Sequence, residues 1–181
     1  MQDSNECGVR LNIGCGTNQI LGYLNIDMEP RVSPDLVLDV RKELPFPDKH
    51  ASEILFFHTI EHIEEKYHEL ILNEFYRVLQ PEGILLLSYP EFAKCANNYI
   101  SNYKGMREFW KNTIYGLQRY AGDYHVALMD SEDVYQKLQA SGFTDIMYRE
   151  ESKEPWNTVV LAHKGKSIMT YEDLLVKELS L

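Results

Sequence analysis

The sequence predicts an α/β fold with a mostly parallel sheet, helices on both faces and an antiparallel hairpin at the C-terminal end. Three observations predict it. Short apolar runs bounded by glycine and proline recur through the first half, as suits strands buried on both faces. A helical stripe separates the fourth run from the fifth, which implies a right-handed crossover between parallel strands. Two later runs are joined by the charged, proline-containing stretch Arg149–Pro155, the pattern of a hairpin at a sheet edge.

The elements follow in order. Leu11–Ile13 is a brief strand running into Gly14-Cys15-Gly16. Tyr23–Asp27 is a second, after Gly22, and Asp35–Val40 a third, closed by polar residues before Pro45 and Pro47. Glu53–Phe57 is the fourth, and Ile84–Tyr89, introduced by Pro81 and Gly83, the fifth. Between these two, Tyr67, Leu70, Ile71, Phe75, Val78 and Leu79 share one face of a helix over Tyr67–Leu79 that Pro81 stops. Residues 91–129 lack a clean period but are crowded with aromatics, among them Phe92, Phe109, Trp110 and Tyr124. Asp130-Ser131 with Asp133 starts a helix with Val134, Tyr135 and Leu138 on its buried face, and Gly142 ends it. Phe143–Tyr148 and Trp156–Ala162 make the hairpin. The tail from Gly165 to Leu181 reads as one more helix, with Tyr171, Leu174, Leu175 and Leu179 along one side, packed on its own core or on a second copy of the chain.

A chain of 181 residues suits one domain with a single core. Within it, residues 8–90 form the N-terminal half, 91–130 a lid, 131–163 the closing helix and hairpin, and 165–181 the terminal helix. The formal net charge of -10 argues against a general nucleic-acid binder, which needs clustered Lys and Arg. Residues 1–10 carry no apolar run, and no stretch approaches the roughly 18 apolar residues of a membrane span. Cys7, Cys15 and Cys95 are odd in number and lack metal spacing, which suits a reducing compartment. The expected setting is cytoplasmic, with a small-molecule partner and neither nucleic acid nor membrane.

The chemistry is expected beyond the carboxyl ends of the strands, where open parallel sheets bind ligands. Gly14 and Gly16, flanking Cys15, let the backbone turn sharply and approach a ligand without a Cβ between them. Asp27, followed by Met28, ends the second strand and can accept hydrogen bonds from both hydroxyls of a ribose. Asp39 can accept from an adenine amino group, and the adjacent amide of Val40 can donate to a ring nitrogen. His58-Thr59-Ile60-Glu61-His62 directly follows the fourth strand. His58 and Glu61 are placed at the amino-acid end of the cofactor or near the acceptor. His125 is a further candidate, from the loop Gly122-Asp123-Tyr124-His125. As a pattern, H-x-x-E-H is also a zinc signature of some peptidases, but that use needs both histidines on a long helix and a third ligand on a later one. Here the motif abuts a strand, and no metal is expected.

The ordered string Leu11–Gly16, Gly22–Asp27, Asp39, Leu44-Pro45-Phe46-Pro47-Asp48, His58–His62 and Glu74–Gly83 resembles the class I S-adenosylmethionine-dependent methyltransferases. It looks closest to a small bacterial group often found with cell-surface polysaccharide genes. The resemblance covers roughly residues 10–90. It implies a Rossmann-like seven-stranded sheet with a C-terminal antiparallel hairpin, S-adenosylmethionine as cofactor, and cofactor contacts from Gly14, Gly16, Asp27, Asp39 and the segment around His58. Two features depart from it. Asn12 stands where an acidic residue usually contacts the methionine amino group, and the interval from Gly16 to Asp27 leaves little room for a first crossover helix.

Methyl transfer from a sulfonium is an in-line displacement, so the expected contribution of the protein is to hold acceptor, methyl and sulfur collinear in a dry pocket. A hydroxyl acceptor also needs a base, for which His58, His62 and His125 are the candidates. An amine or an ionised oxygen needs positioning alone. A small hydroxylated acceptor, such as a sugar, is favoured by the family neighbourhood. Two other readings stand beside this one: a non-catalytic protein that keeps the fold, favoured by Asn12 and the short first crossover, and a zinc hydrolase using His58 and His62.

Overall fold

In the computed structural model, residues 8–120 and 122–165 are described, so the expected terminal helix falls outside the described residues. Seven strands form one sheet: β1 (Val9–Ile13), β2 (Leu24–Asp27), β3 (Leu36–Val37), β4 (Ala51–Phe57), β5 (Leu79–Pro90), β6 (Thr144–Glu150) and β7 (Asn157–His163). The helices are α1 (His68–Val78), α2 (Phe92–Ile100), α3 (Arg107–Tyr115) and α4 (Ser131–Ala140). The strand order is β3-β2-β1-β4-β5-β7-β6. The first five strands are parallel, and β7 runs antiparallel to both β5 and β6. The order therefore reverses between β1 and β4, the point at which a sheet of this kind opens a crevice for ligands.

The central strands lie between two covered faces, which is why their sequences read as continuous apolar runs. Ile54, Leu55 and Phe56 of β4 and Leu85 and Leu87 of β5 are fully buried. Phe75 of α1 meets Phe56 edge to face, with centroids 5.0 Å apart. Such a pair adds about 0.5–1.5 kcal/mol beyond the area it buries.

The structure corrects several boundaries. Of the expected third strand, only Leu36 and Val37 pair with β2; the chain turns away afterwards, because an edge segment with one neighbour has little to hold it in register. The buried face of α1 includes Leu72, whereas Leu70 is exposed. Pro81 does not stop α1. The helix ends at Val78, and β5 begins at once and runs through the proline. The ammonium of Lys164 lies against the carbonyls of Tyr76, Arg77 and Leu79. A cation satisfies the orphan carbonyls of a helix end and favours its negative pole. Helix α4 starts as expected, with the Asp130 carboxylate accepting from the amides of Glu132 and Asp133.

Two pieces of the ordered string prove to be scaffold. Arg77 pairs with Glu74 and Asp48 at 2.8 Å and donates to the carbonyls of Leu44 and Phe46. Glu74 also accepts from the amide of Leu44. Together they lash the 44–48 turn to α1, away from the crevice. No helix among the described residues is long and apolar enough to cross a membrane.

Candidate functional site

The strand ends at the crevice bring the glycine turn and Asp27 into contact. The amides of Gly14 and Cys15 both donate to the carbonyl of Ile26 on the neighbouring strand, at 2.8 and 3.1 Å. Gly16 then donates its amide to Asp27 Oδ2 at 2.8 Å, and Glu29 donates to Oδ1 at 2.8 Å. A carboxylate offers about four acceptor positions, so these two bonds fix Asp27 and leave capacity for hydroxyls. Both glycines have positive φ, +70° and +50°. A Cβ on Gly14 would lie 2.1 Å from Thr59 Oγ1, whereas one on Gly16 would meet nothing within 4 Å. Gly14 is thus required by packing, and Gly16 faces open space beside Asp27. Met28, next in the chain, is exposed.

Asn12 is buried, and its role is structural. Its Nδ2 donates to the Asn18 carbonyl and to Asn25 Oδ1, both at 2.9 Å. Asn25 in turn accepts from the amide of Ile20 and donates to Asp35. This chain of amides pins the short loop that replaces a first crossover helix, and an acidic side chain cannot donate there. Asn12→Asp is expected to cost at least about 2 kcal/mol, because it would set a buried charge against two acceptors. Chemical denaturation checks this, and an unchanged midpoint would contradict it.

Asp39 is held differently. Arg41 grips both of its carboxylate oxygens at 2.9 Å, which lowers its pKa and keeps it ionised. Any adenine amino group must share those oxygens with the guanidinium. Val40 is buried in the core cluster. Burial, more than the nearby Asp27 charge, pushes the Cys15 thiol up to about 11, so it is neutral at physiological pH.

Behind β4, Ile60–His62 form one 3-10 turn, held from beneath by the His68 ring, whose Nε2 lies 3.1 and 2.9 Å from the carbonyls of Ile60 and Ile63. His58 has φ +47°, a conformation that costs a residue with a Cβ about 1–2 kcal/mol. Its ring nitrogens face Glu61 Oε1 at 3.6 Å and Glu151 Oε2 at 3.8 Å. Burial alone would lower its pKa, but the facing carboxylates of Glu151 and Glu61 overcome that and raise it to about 10. The two carboxylates therefore favour the charged form of His58.

The sign of the linkage follows. A histidine raised above 6.5 contributes stability that is complete below pH 6.5 and is lost as pH rises toward 10. The side chain is 45% exposed, so solvent screens part of the effect. The thermal midpoint, measured in EDTA, should fall over that window, and fall less in His58→Gln. Identical profiles would contradict the pairing.

Glu61 is 1% exposed, and its Oε2 has no hydrogen-bond partner among the described residues. Despite burial, its pKa is lowered by His58, His62 and His125. The amides of Val126 and Ala127 donate to the Glu61 carbonyl at 2.9 and 3.2 Å, which draws the loop after α3 onto the turn. His125 thereby stacks edge to face on His62, with centroids 4.7 Å apart. Burial holds the His125 pKa below its ordinary value, against the pull of Glu61, so this imidazole is neutral. A cleft lined by Glu61, Pro90, Phe92, Cys95, His125 and Met129 opens between this cluster and the helices of the 91–129 segment.

The structure thus places the expected residues in two groups along one sheet edge. Gly14, Cys15, Gly16 and Asp27 gather beside the first turn, and His58, Glu61, His62 and His125 gather behind β4. Asn12 lies beneath the turn as a support. Reading the sequence missed Glu151, which the β6–β7 hairpin delivers to His58, and Thr59, whose side chain packs under Gly14. Thr59 sits inside the His58–His62 string, but nothing local marks Glu151. Most of the aromatic segment is not core: Phe109, Tyr115, Tyr120 and Tyr124 are exposed, and Trp110 alone of the named aromatics is fully buried, packed edge to face on Trp156.

Residues 11–87 match the family described as methyltransferase domain. No curated protein matches the chain. Among solved structures, it is similar to an S-adenosylmethionine-dependent methyltransferase from Archaeoglobus fulgidus, with 16% identity, a TM-score of 0.64, and coverage of 88% of this chain and 87% of that one. A methyltransferase of the same description from Methanosarcina mazei gives 18% identity, a TM-score of 0.64, and coverage of 91% and 94%. Haemonchus contortus phosphoethanolamine N-methyltransferase 2, solved with S-adenosyl-L-methionine, gives 14% identity and a TM-score of 0.57; the match covers 88% of this chain but 49% of that protein. Likeness at these identities establishes the fold.

Proposed function

We propose that the chain is a class I S-adenosylmethionine-dependent methyltransferase, a reading supported by the methyltransferase-domain match over residues 11–87 and by the fold, and that its site divides the work as follows. The adenosine lies along the first turn, with its ribose hydroxyls on Asp27, its backbone passing over Gly16, and its base near Met28, Asp39 and Val40. The observation that carries this reading is the Gly16–Asp27 bond, which fixes a carboxylate beside an open glycine at the point where strand order reverses. The charged His58 faces the amino-acid end of the cofactor, where a carboxylate is its natural partner.

The acceptor enters from the cleft beneath α2 and α3. Its lone pair forms the new bond to the methyl carbon as the carbon–sulfur bond breaks, and that electron pair stays on sulfur, which becomes a neutral thioether. A hydroxyl acceptor must also lose its proton. We assign that task to the side of the cleft held by Glu61, His62 and His125, because His58 faces two carboxylates that favour its charged form. The acceptor class we propose is a small hydroxylated molecule such as a sugar, supported by the resemblance to methyltransferases found with polysaccharide genes. A screen of small hydroxylated compounds with methyl-labelled cofactor tests it. Label on a hydroxyl oxygen is expected; a blank screen by a protein that binds the cofactor tightly would count against it.

A further inference from the structure

The sequence offered no third metal ligand for His58-Thr59-Ile60-Glu61-His62, but the fold supplies one from the 116–125 loop. One ligand atom each from Glu61, His62 and His125 lies within 4.8 Å of the others. Two further features fit these groups to a cation. First, Glu61 is 1% exposed and its Oε2 is buried without a partner among the described residues. An orphaned carboxylate oxygen in a protein interior costs several kcal/mol unless something positive meets it, and His58 already faces the other oxygen.

Second, His62 has one ring nitrogen committed to a backbone carbonyl, and the His125 ring stands edge to face against it. His62 Nδ1 lies 3.0 Å from the Tyr124 carbonyl. A carbonyl only accepts, so the nitrogen facing it carries the hydrogen and the other nitrogen keeps its lone pair. That is the arrangement by which outer partners fix the tautomer of a metal-binding histidine.

We propose that Glu61, His62 and His125 bind one divalent first-row transition-metal ion on the acceptor side of the cleft. Two imidazoles and one carboxylate suit a borderline ion such as Zn2+, Mn2+, Fe2+ or Co2+ rather than Mg2+ or Ca2+, which prefer all-oxygen sites. Ligand distances of about 2.0–2.2 Å require the three side chains to close slightly around the ion. Three protein ligands leave positions open toward Pro90, Phe92 and Met129. An acceptor hydroxyl taken there loses its proton to water more readily, because the ion stabilises the alkoxide. That last role rests on the methyl-transfer reading; the binding of the ion does not.

The test uses EDTA-stripped protein titrated calorimetrically with Zn2+, Mn2+ and Mg2+, and with Co2+ by visible absorption. One equivalent of Zn2+ is expected, bound at least 100-fold more tightly than Mg2+, with a cobalt spectrum of low coordination number. His125→Gln and Glu61→Gln should each weaken Zn2+ binding at least 100-fold. Should Glu61→Gln lower the thermal midpoint sharply, the loop variant His125→Gln decides alone. A wild-type protein that binds the cofactor but neither Zn2+ nor Mn2+ would overturn the proposal, as would unchanged Zn2+ affinity in His125→Gln. Zinc binding without cofactor binding would uphold this site and remove the methyl-transfer reading.

Discussion

Asp27→Ala is expected to raise the dissociation constant for S-adenosylmethionine at least about 100-fold. Two hydroxyl bonds to a charged acceptor are worth about 1.5–3 kcal/mol each, and 1.4 kcal/mol is a factor of ten, so losing both accounts for two to four decades. The variant also frees the amides of Gly16 and Glu29, which Asp27 now holds at 2.8 Å, so the turn loses its shape as well as its ligand contact. Asp27→Asn keeps one acceptor oxygen and should lose less. Combining Asp27→Ala with Asp39→Ala should abolish measurable binding. Calorimetry with cofactor or its demethylated product reads all three variants, and unchanged affinity in the double variant would remove the site from this edge of the sheet.

The second large effect separates two glycines that look alike in the sequence. Gly14→Ala places a Cβ 2.1 Å from Thr59 Oγ1 at a φ of +70°. Overpacking costs about 1–3 kcal/mol and the backbone about 1 kcal/mol more, which for a chain of this length lowers the thermal midpoint by on the order of 10 °C. Gly16→Ala meets no protein atom within 4 Å, so its thermal cost should be a few degrees at most. Its methyl group instead occupies space assigned to the ligand, and cofactor affinity should fall at least about tenfold. If Gly16→Ala binds normally, the ligand does not pass over that residue. If Gly14→Ala is as stable as the parent, Thr59 does not pack as described.

Much of this was legible in the sequence because the informative signals were local. β1, β2, β4 and β5 read as apolar runs because both faces of the sheet are covered there, and the hairpin declared itself by a polar interruption between two such runs. The third strand was overread: Asp35–Val40 alternates like a strand, but only Leu36 and Val37 have a neighbour to pair with. Helices α2 and α3 left no clean stripe because residues such as Ile100, Phe109 and Tyr115 remain exposed.

In the site, the turn and Asp27 were visible because strand-end glycine and aspartate have few other reasons to follow each other in that order. Asn12 looked like a defect until its two donated bonds were seen, since a hydrogen-bond partner six or thirteen residues away leaves no periodic mark. The charge on His58 was invisible for a similar reason. It depends on Glu151, which arrives from the far end of the chain through the hairpin. The pairing of Arg41 with Asp39 was close at hand, two residues along, but spacing alone does not tell a solvated arginine from one that shares a ligand's acceptor.

The central claim is that the carboxylate fixed by Gly16 holds the sugar of the methyl donor. A crystal structure with S-adenosylhomocysteine tests it most directly. The account predicts both ribose hydroxyls within hydrogen-bond distance of Asp27, and the nucleoside lying over Gly16. An adenosine seated elsewhere, with Asp27 still turned to its two amides alone, would contradict it.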